Sequence, residues 1–474
     1  MEGRLPSWLA PVIFRGMVGT FRQSPERLPR SSNYRILQSV LGDLVLRPWF
    51  DWVALTSVAR GYFPLSRAWA AALASGGSLA RFQAELGIDQ ISRTTTLPAL
   101  ALAENRHTAY TAAARDWETL FFEGDGAAPE ILIEAELARQ DAAHQLMLTR
   151  FAFLPLRGRV PAVRWQVASP EEVAAKHGAR LADPAAAFAV PAMPPLERSH
   201  SVLSAYGREY WLRYPSPVMG DMAWARVVEP EHVKDPPTVI FLHGIAMETE
   251  MWRGAADMVS DLALDGIRVI KPEGPWHSRR RPEGWYGGEP AIGFGPLGFL
   301  DLFHAWIAEA AVLIGWVRGS SRAPVALGGV SLGALTAQRA AAAARHWPDE
   351  YRPDALLLVA TSGAMLDVAH GGSLASAVNL APQIEAADWT VEKLAGWLPL
   401  LEPQEAPGLD PGRIVMVLGR SDDVMPSAGG LALAQRWGVP EANLYAREQG
   451  HFSVSLGLLR DRAPLARIKE ILGS

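Results

Sequence analysis

A serine between two glycines, in Gly329-Val330-Ser331-Leu332-Gly333, fits G-x-S-x-G. In that spacing a tight strand-to-helix turn holds the serine in a strained conformation, and small neighbours keep the flanking backbones apart. Val325, Ala326 and Leu327 before it suit a strand, while Leu332, Ala334, Leu335, Ala337 and Gln338 after it suit a helix. Taken alone, the same residues fit an ordinary glycine-rich connection. A serine hydroxyl is a weak nucleophile at neutral pH, so covalent chemistry at Ser331 demands a histidine base. In an arrangement of this kind the chain order is serine, acid, histidine, which leaves His346, His370 and His451. His346 ends the helix that Ser331 opens, more than about 20 Å along it at 1.5 Å per residue. His370 precedes every carboxylate at the end of a later strand. His451, in "EQGHFSVS", directly follows the last expected strand and opens the last helix.

The acid is expected after the penultimate strand, where "RIVMVLGRSDDVMP" supplies Asp422 and Asp423. A carboxylate there can hold the imidazole in its reactive tautomer and balance the imidazolium that forms. Attack on a carbonyl also creates an oxyanion, which needs aligned N–H donors. In "TVIFLHGIAMETEMW" the pair His243-Gly244 lets the chain turn tightly after a strand, so that the N–H of Ile245 or Ala246 can join that of Leu332, the residue after the serine. The ring of His243 is expected to orient this loop.

These residues need a scaffold. From Tyr206 onward short apolar strands alternate with helical stretches, notably 299–318, 332–346, 427–437 and 452–473. Such alternation predicts α/β architecture with a mostly parallel sheet covered on both faces, and ligands at the carboxyl ends of its strands. Residues 201–474 are read as this catalytic domain, with a helical, lid-like insertion at 364–411 carrying Trp389 and Trp397. Residues 1–200 are read as a mainly helical N-terminal region, one reading of which is a cap, ending in a connector from about 152 where prolines recur. A chain of 474 residues exceeds the roughly 250–300 at which single cores stop growing.

With 49% hydrophobic and 20% charged residues the composition is that of a globular protein. A net charge of −5 gives no general attraction to nucleic acid. The absence of cysteine excludes disulfides, thiolate nucleophiles and cysteine-ligated metal. No stretch is read as a transmembrane span, and the default location is cytoplasmic. The apolar run within residues 7–21 is read as an amphipathic helix docked on its own protein, peripheral membrane contact being the alternative. Arg279, Arg280 and Arg281 are read as a solvated face, with binding of an anionic substrate group as the alternative.

Together, the elbow serine, the late histidine and the intervening aspartates resemble the α/β-hydrolase superfamily over roughly 205–474. Finer stretches, "GIAMETEMWRG", "KPEGPWHSRRRP" and "LGGVSLGAL", are similar to its α/β-hydrolase-domain-containing group numbered eighteen. The resemblance implies a central eight-stranded sheet, a Ser331–His451–Asp422 triad and an acyl-enzyme route. It selects Asp422 because the acid usually stands three residues after the glycine ending the strand, here Gly419, with Met425-Pro426 closing the turn. Asp423 then becomes a turn or cap residue. A serine at this position argues against the dehalogenases and epoxide hydrolases of the fold, which use aspartate. The expected reaction is hydrolysis of a small-molecule carboxylic ester, without metal or organic cofactor. An amidase or peptidase, a carbon–carbon bond hydrolase and a non-catalytic binding module are the alternatives.

Overall fold

The computed structural model describes residues 27–28, 42, 46–124, 126–248 and 257–473. The run at 7–21 lies outside them. Ahead of the sheet stand α1 (Pro48–Ser57), α2 (Phe63–Ala74), α3 (Leu79–Leu86), α4 (Arg93–Phe122), α5 (Pro129–Leu148) and α6 (Pro170–Ala182). Their ends follow from local chemistry. Ser78 accepts a hydrogen bond from the Arg81 N–H at the start of α3, and Gly87 closes that helix at φ 64°. The stretch read as a connector therefore holds a helix, α6, because Pro170 opens it rather than breaking it. Ser169 Oγ accepts from the Glu172 N–H while Glu172 Oε2 accepts from the Ser169 N–H, a reciprocal cap with proline at the first helical position.

The strands are β1 (Glu197–Arg198), β2 (Val202–Leu203), β3 (Arg208–Pro215), β4 (Met222–Glu229), β5 (Thr238–Leu242), β6 (Arg268–Pro272), β7 (Val325–Val330), β8 (Ala355–Val359), β9 (Ile414–Gly419) and β10 (Leu444–Arg447). The eight longer ones lie in the order β3-β4-β6-β5-β7-β8-β9-β10, with the two-residue strands β1 and β2 added against β3. Of those eight, β4 alone runs against its neighbours. Every residue of β5, β7, β8 and β9 is buried, as parallel strands covered on both faces must be.

The two-residue period of a strand divides their side chains between two cores. Ile240, Leu242, Leu356, Leu358, Met416 and Leu418 face the core that also takes in Phe63, Trp69 and Phe82 of the N-terminal helices. Val239, Phe241, Leu357, Val359, Val415 and Val417 face the other. The helices after the sheet begins are α7 (Glu289–Gly293), α8 (Pro296–Ser320), α9 (Leu332–Ala344), five short ones between β8 and β9, namely α10 (Met365–Gly371), α11 (Ser373–Ala377), α12 (Leu380–Ala386), α13 (Val391–Ala395) and α14 (Leu398–Leu401), then α15 (Ser427–Arg436), α16 (His451–Gly457) and α17 (Ala463–Gly473). The stretch expected as one helix over 452–473 is thus two, with Pro464 in the first turn of α17, where its missing N–H costs least. Among the described residues α8 is long and apolar enough to cross a bilayer, yet 78% of its apolar window is buried inside the protein, as in a core helix.

Candidate active site

β7 hands Ser331 to α9 with φ 55° and ψ −119°, a positive φ that non-glycine residues rarely adopt. The two flanking glycines are required by space. A Cβ on Gly333 would overlap the backbone of Leu242 and His243, and one on Gly329 would overlap the backbone of Gly333 and Ala334. The Ser331 N–H donates to Val359 O at 2.9 Å, which ties the elbow to β8.

His451 and Asp422 converge on this serine from the ends of the next strands. Ser331 Oγ lies 2.9 Å from His451 Nε2, and His451 Nδ1 lies 2.8 Å from Asp422 Oδ2. Because a carboxylate only accepts, Nδ1 carries the ring proton and Nε2 faces the hydroxyl as acceptor. Asp422 Oδ1 accepts from the N–H groups of Val424 at 3.0 Å and Met425 at 2.8 Å, which fixes the carboxylate. Burial, the largest single influence, pushes the His451 imidazole toward neutrality, but the charge and hydrogen bond of Asp422 together with the charges of Asp51 and Asp423 outweigh it, so its pKa ends above the ordinary histidine value. Asp423 points elsewhere and accepts from Ser373 Oγ at 2.9 Å. Serine on the middle strand, acid and histidine after later ones, in that chain order at the carboxyl edge of a mostly parallel sheet, decide the architecture. This is the α/β-hydrolase fold.

The oxyanion donors need one correction to the sequence reading. Ala246, at φ 57°, gives its N–H to His277 Nε2 at 3.2 Å and is therefore occupied. Ile245 and Leu332, which line the cavity beside Ser331, are left. The Leu332 N–H is the first of α9, where no intrahelical acceptor exists. His243 orients the loop as expected from sequence, with Nδ1 2.7 Å from Gly244 O and Nε2 accepting from the Gly274 N–H at 2.9 Å. Burial holds His243 neutral, its pKa lowered to about 4, and burial together with His243 lowers that of His277 well below the usual range. From the N-terminal helices Tyr62 Oη approaches Ala246 O at 3.4 Å, and Arg150 reaches both Tyr62 Oη at 2.9 Å and Glu248 at 2.7 Å.

Before Ser331 opens a cleft of about 1030 Å³, counted to its open mouth. Helices α10 to α14 supply much of its wall through residues such as Leu366, Leu374, Ile384 and Leu394, and among the described residues Ser331 is the one lining residue with a polar side chain. Trp389 and Trp397 do not line it: both are buried, and Trp389 donates its indole N–H to Ala168 O at 2.8 Å. Nor do the three arginines, which pack into the protein and do not form a solvated face. Arg280 is buried between Glu309 at 2.7 Å and Asp221 at 2.9 Å, Arg279 pairs with Glu273 at 3.1 Å over Trp211 and Trp224, and Arg281 stacks on Trp69 at 4.5 Å. Their partners are far apart in sequence, so charge patterning could not reveal them. One residue that sequence reasoning missed is Asp51 of α1, which contacts the segment bearing His451. Among the described residues no three histidine or acidic side chains gather as a metal site.

No family model and no curated protein matches the chain. Among solved structures, acetyl xylan esterase 1 from Thermoanaerobacterium sp. aligns over 62% of this chain and 96% of its own at 16% identity, with TM-score 0.42. A lipase in open form aligns over 55% and 98% at 15% identity and TM-score 0.36, and an acylaminoacyl peptidase from Pyrococcus horikoshii over 60% and 48% at 10% and 0.37. The assignment of the α/β-hydrolase fold rests on the strand order and elbow of this chain.

Proposed function

We propose that the chain is a serine hydrolase that cleaves carboxylic esters with apolar acyl groups through an acyl-enzyme. The observation that carries this reading is the continuous Ser331–His451–Asp422 hydrogen-bond relay at the floor of an apolar cleft. Ser331 Oγ attacks the ester carbonyl carbon as its proton passes to His451 Nε2, while Asp422 balances the imidazolium. The resulting oxyanion is met by the N–H groups of Leu332 and Ile245. The carbon–oxygen bond to the alcohol breaks, and the departing oxygen takes the proton from Nε2. Water then yields a proton to Nε2 and its oxygen to the acyl carbon, releasing the acid and restoring Ser331. The sum is ester and water to acid and alcohol, with no cofactor in any step.

An ester is favoured over a peptide by the wall of the cleft. A bound peptide buries amide groups that each need a hydrogen-bond partner, and burying one unpaired costs about 1–3 kcal/mol. Among the described residues, lining side chains other than Ser331 offer no such partner. The test is turnover of p-nitrophenyl esters of increasing acyl length beside matching anilides, with fluorophosphonate labelling of the parent and Ser331→Ala. Labelling confined to Ser331, and esters turned over well ahead of anilides, are expected. Persistent labelling of Ser331→Ala would remove the proposed nucleophile.

A further inference from the structure

The helix that begins at His451 has no N-cap side chain of its own, although Ser453 Oγ accepts from the Gly450 N–H at 3.0 Å. Gly450 stands at the N-cap position without a side chain to accept the first N–H groups, which every α-helix leaves unpaired. Asp51 supplies what is missing from 399 residues earlier in the chain. Its buried carboxylate accepts from the N–H groups of Gly450 at 3.1 Å, Phe452 at 2.7 Å and Ser453 at 2.9 Å, and from Ser453 Oγ. The fit leaves no space. A Cβ at position 450 would overlap the Asp51 carboxyl group, so the glycine before His451 is matched to this contact.

We propose that Asp51 is a positioning residue for His451, and that α1 thereby completes the active site of the sheet from outside it. The inference rests on the triad reading above. Three bonds from one carboxylate to the backbone N–H groups on either side of His451 fix the first turn of α16, and hence the point from which the imidazole reaches both Ser331 and Asp422. The negative charge also faces the positive end of that helix. The charged groups acting on His451 are Asp422, Asp51 and Asp423, all acidic, so each favours its protonated form.

The full-length chain carrying Asp51→Asn keeps the shape of the side chain but loses its charge and turns an NH₂ toward donors. Its fluorophosphonate labelling rate and its kcat on a p-nitrophenyl ester should fall between about tenfold and hundredfold, the usual loss for misplacement of a catalytic group by about 1 Å, with KM little changed. The acid limb of kcat/KM should move to lower pH, since a charge that raised the His451 pKa is gone. A merely structural contact would lower the melting temperature without moving that limb. Parent labelling rate and parent limb in folded Asp51→Asn overturn the inference. If that variant does not fold, Asp51→Glu carries the test. It retains the charge and displaces it, so the limb should stay in place while kcat falls, and parent kcat overturns the inference. Ser331→Ala, run alongside, separates the two readings: labelling that survives there removes the triad itself, whereas labelling lost there but unchanged at position 51 removes only the role of Asp51.

Discussion

Two adjacent aspartates show how finely the site discriminates. Asp422 and Asp423 have the same chemistry, but one oxygen of Asp422 meets His451 while Asp423 is turned to Ser373 at the start of α11. Asp422→Asn should therefore lower kcat about 10⁴-fold by favouring the wrong imidazole tautomer, as the corresponding change does in serine proteases, with KM little altered. Asp423→Asn should leave kcat within about tenfold, because its partner is the Ser373 hydroxyl and not the imidazole of His451. Steady-state kinetics on one p-nitrophenyl ester decide between them, and the reverse pattern would make Asp423 the acid. The same carboxylate sets the pH response. Because Asp422, with Asp51 and Asp423, offsets burial and raises the His451 pKa, the acid limb of kcat/KM should inflect above the ordinary histidine value of about 6.5. An inflection at or below that value would mean that desolvation dominates.

At the scale of elements, the elbow and the cleft wall make separate demands. The elbow requires β7 and α9 to pass within backbone contact of β5, which Gly333 permits because it has no Cβ. Gly333→Ala should cost at least about 1–3 kcal/mol, read as a lower urea midpoint, and should abolish labelling of Ser331. A stable, active Gly333→Ala would show that this approach can relax. The wall formed by α10 to α14 acts on selectivity instead. Ala375 of α11 lines the cleft and is partly buried, so Ala375→Phe fills acyl space without touching the triad. It should reduce kcat/KM for a long-chain p-nitrophenyl ester about fivefold or more while sparing the acetate, since overpacking by one ring costs at least about 1 kcal/mol. Equal losses on both esters would place the acyl chain elsewhere.

The whole molecule is held by burial that keeps several imidazoles neutral. Burial lowers His243 and His304 to about 4, and lowers His277 further with help from His243. A histidine whose folded pKa lies below its unfolded value of about 6.5 contributes stability above that value, which is lost as pH falls through the folded pKa. His451 has the opposite sign: its contribution is full below about 6.5 and fades as pH rises through its raised folded pKa. With His107, also lowered by burial, the histidines stand four against one, and although Glu289, raised to about 7 by burial, opposes them, unfolding free energy from urea titrations should fall as pH drops from about 6.5 toward 4. Replacing His243 by Gln should flatten that slope, and an unchanged slope would assign the acid sensitivity to other groups.

How much of this was legible in the sequence depends on how far apart the partners lie. The elbow glycines and the short apolar strands from Thr238 to Gly419 are local patterns, because steric clash and strand geometry act over a few residues, and they determined the parallel core of the sheet; the order of serine, acid and histidine and the resemblance to a known family then pointed to where Ser331, Asp422 and His451 would meet. Contacts between distant segments leave no local trace. Only the tertiary structure decided that the Ala246 N–H is taken by His277, that Arg280 is buried against Glu309 and Asp221, and that Asp51 caps the helix of His451. In each case the sequence shows a donor or a charge, but its partner is set by which surfaces the packed core brings together.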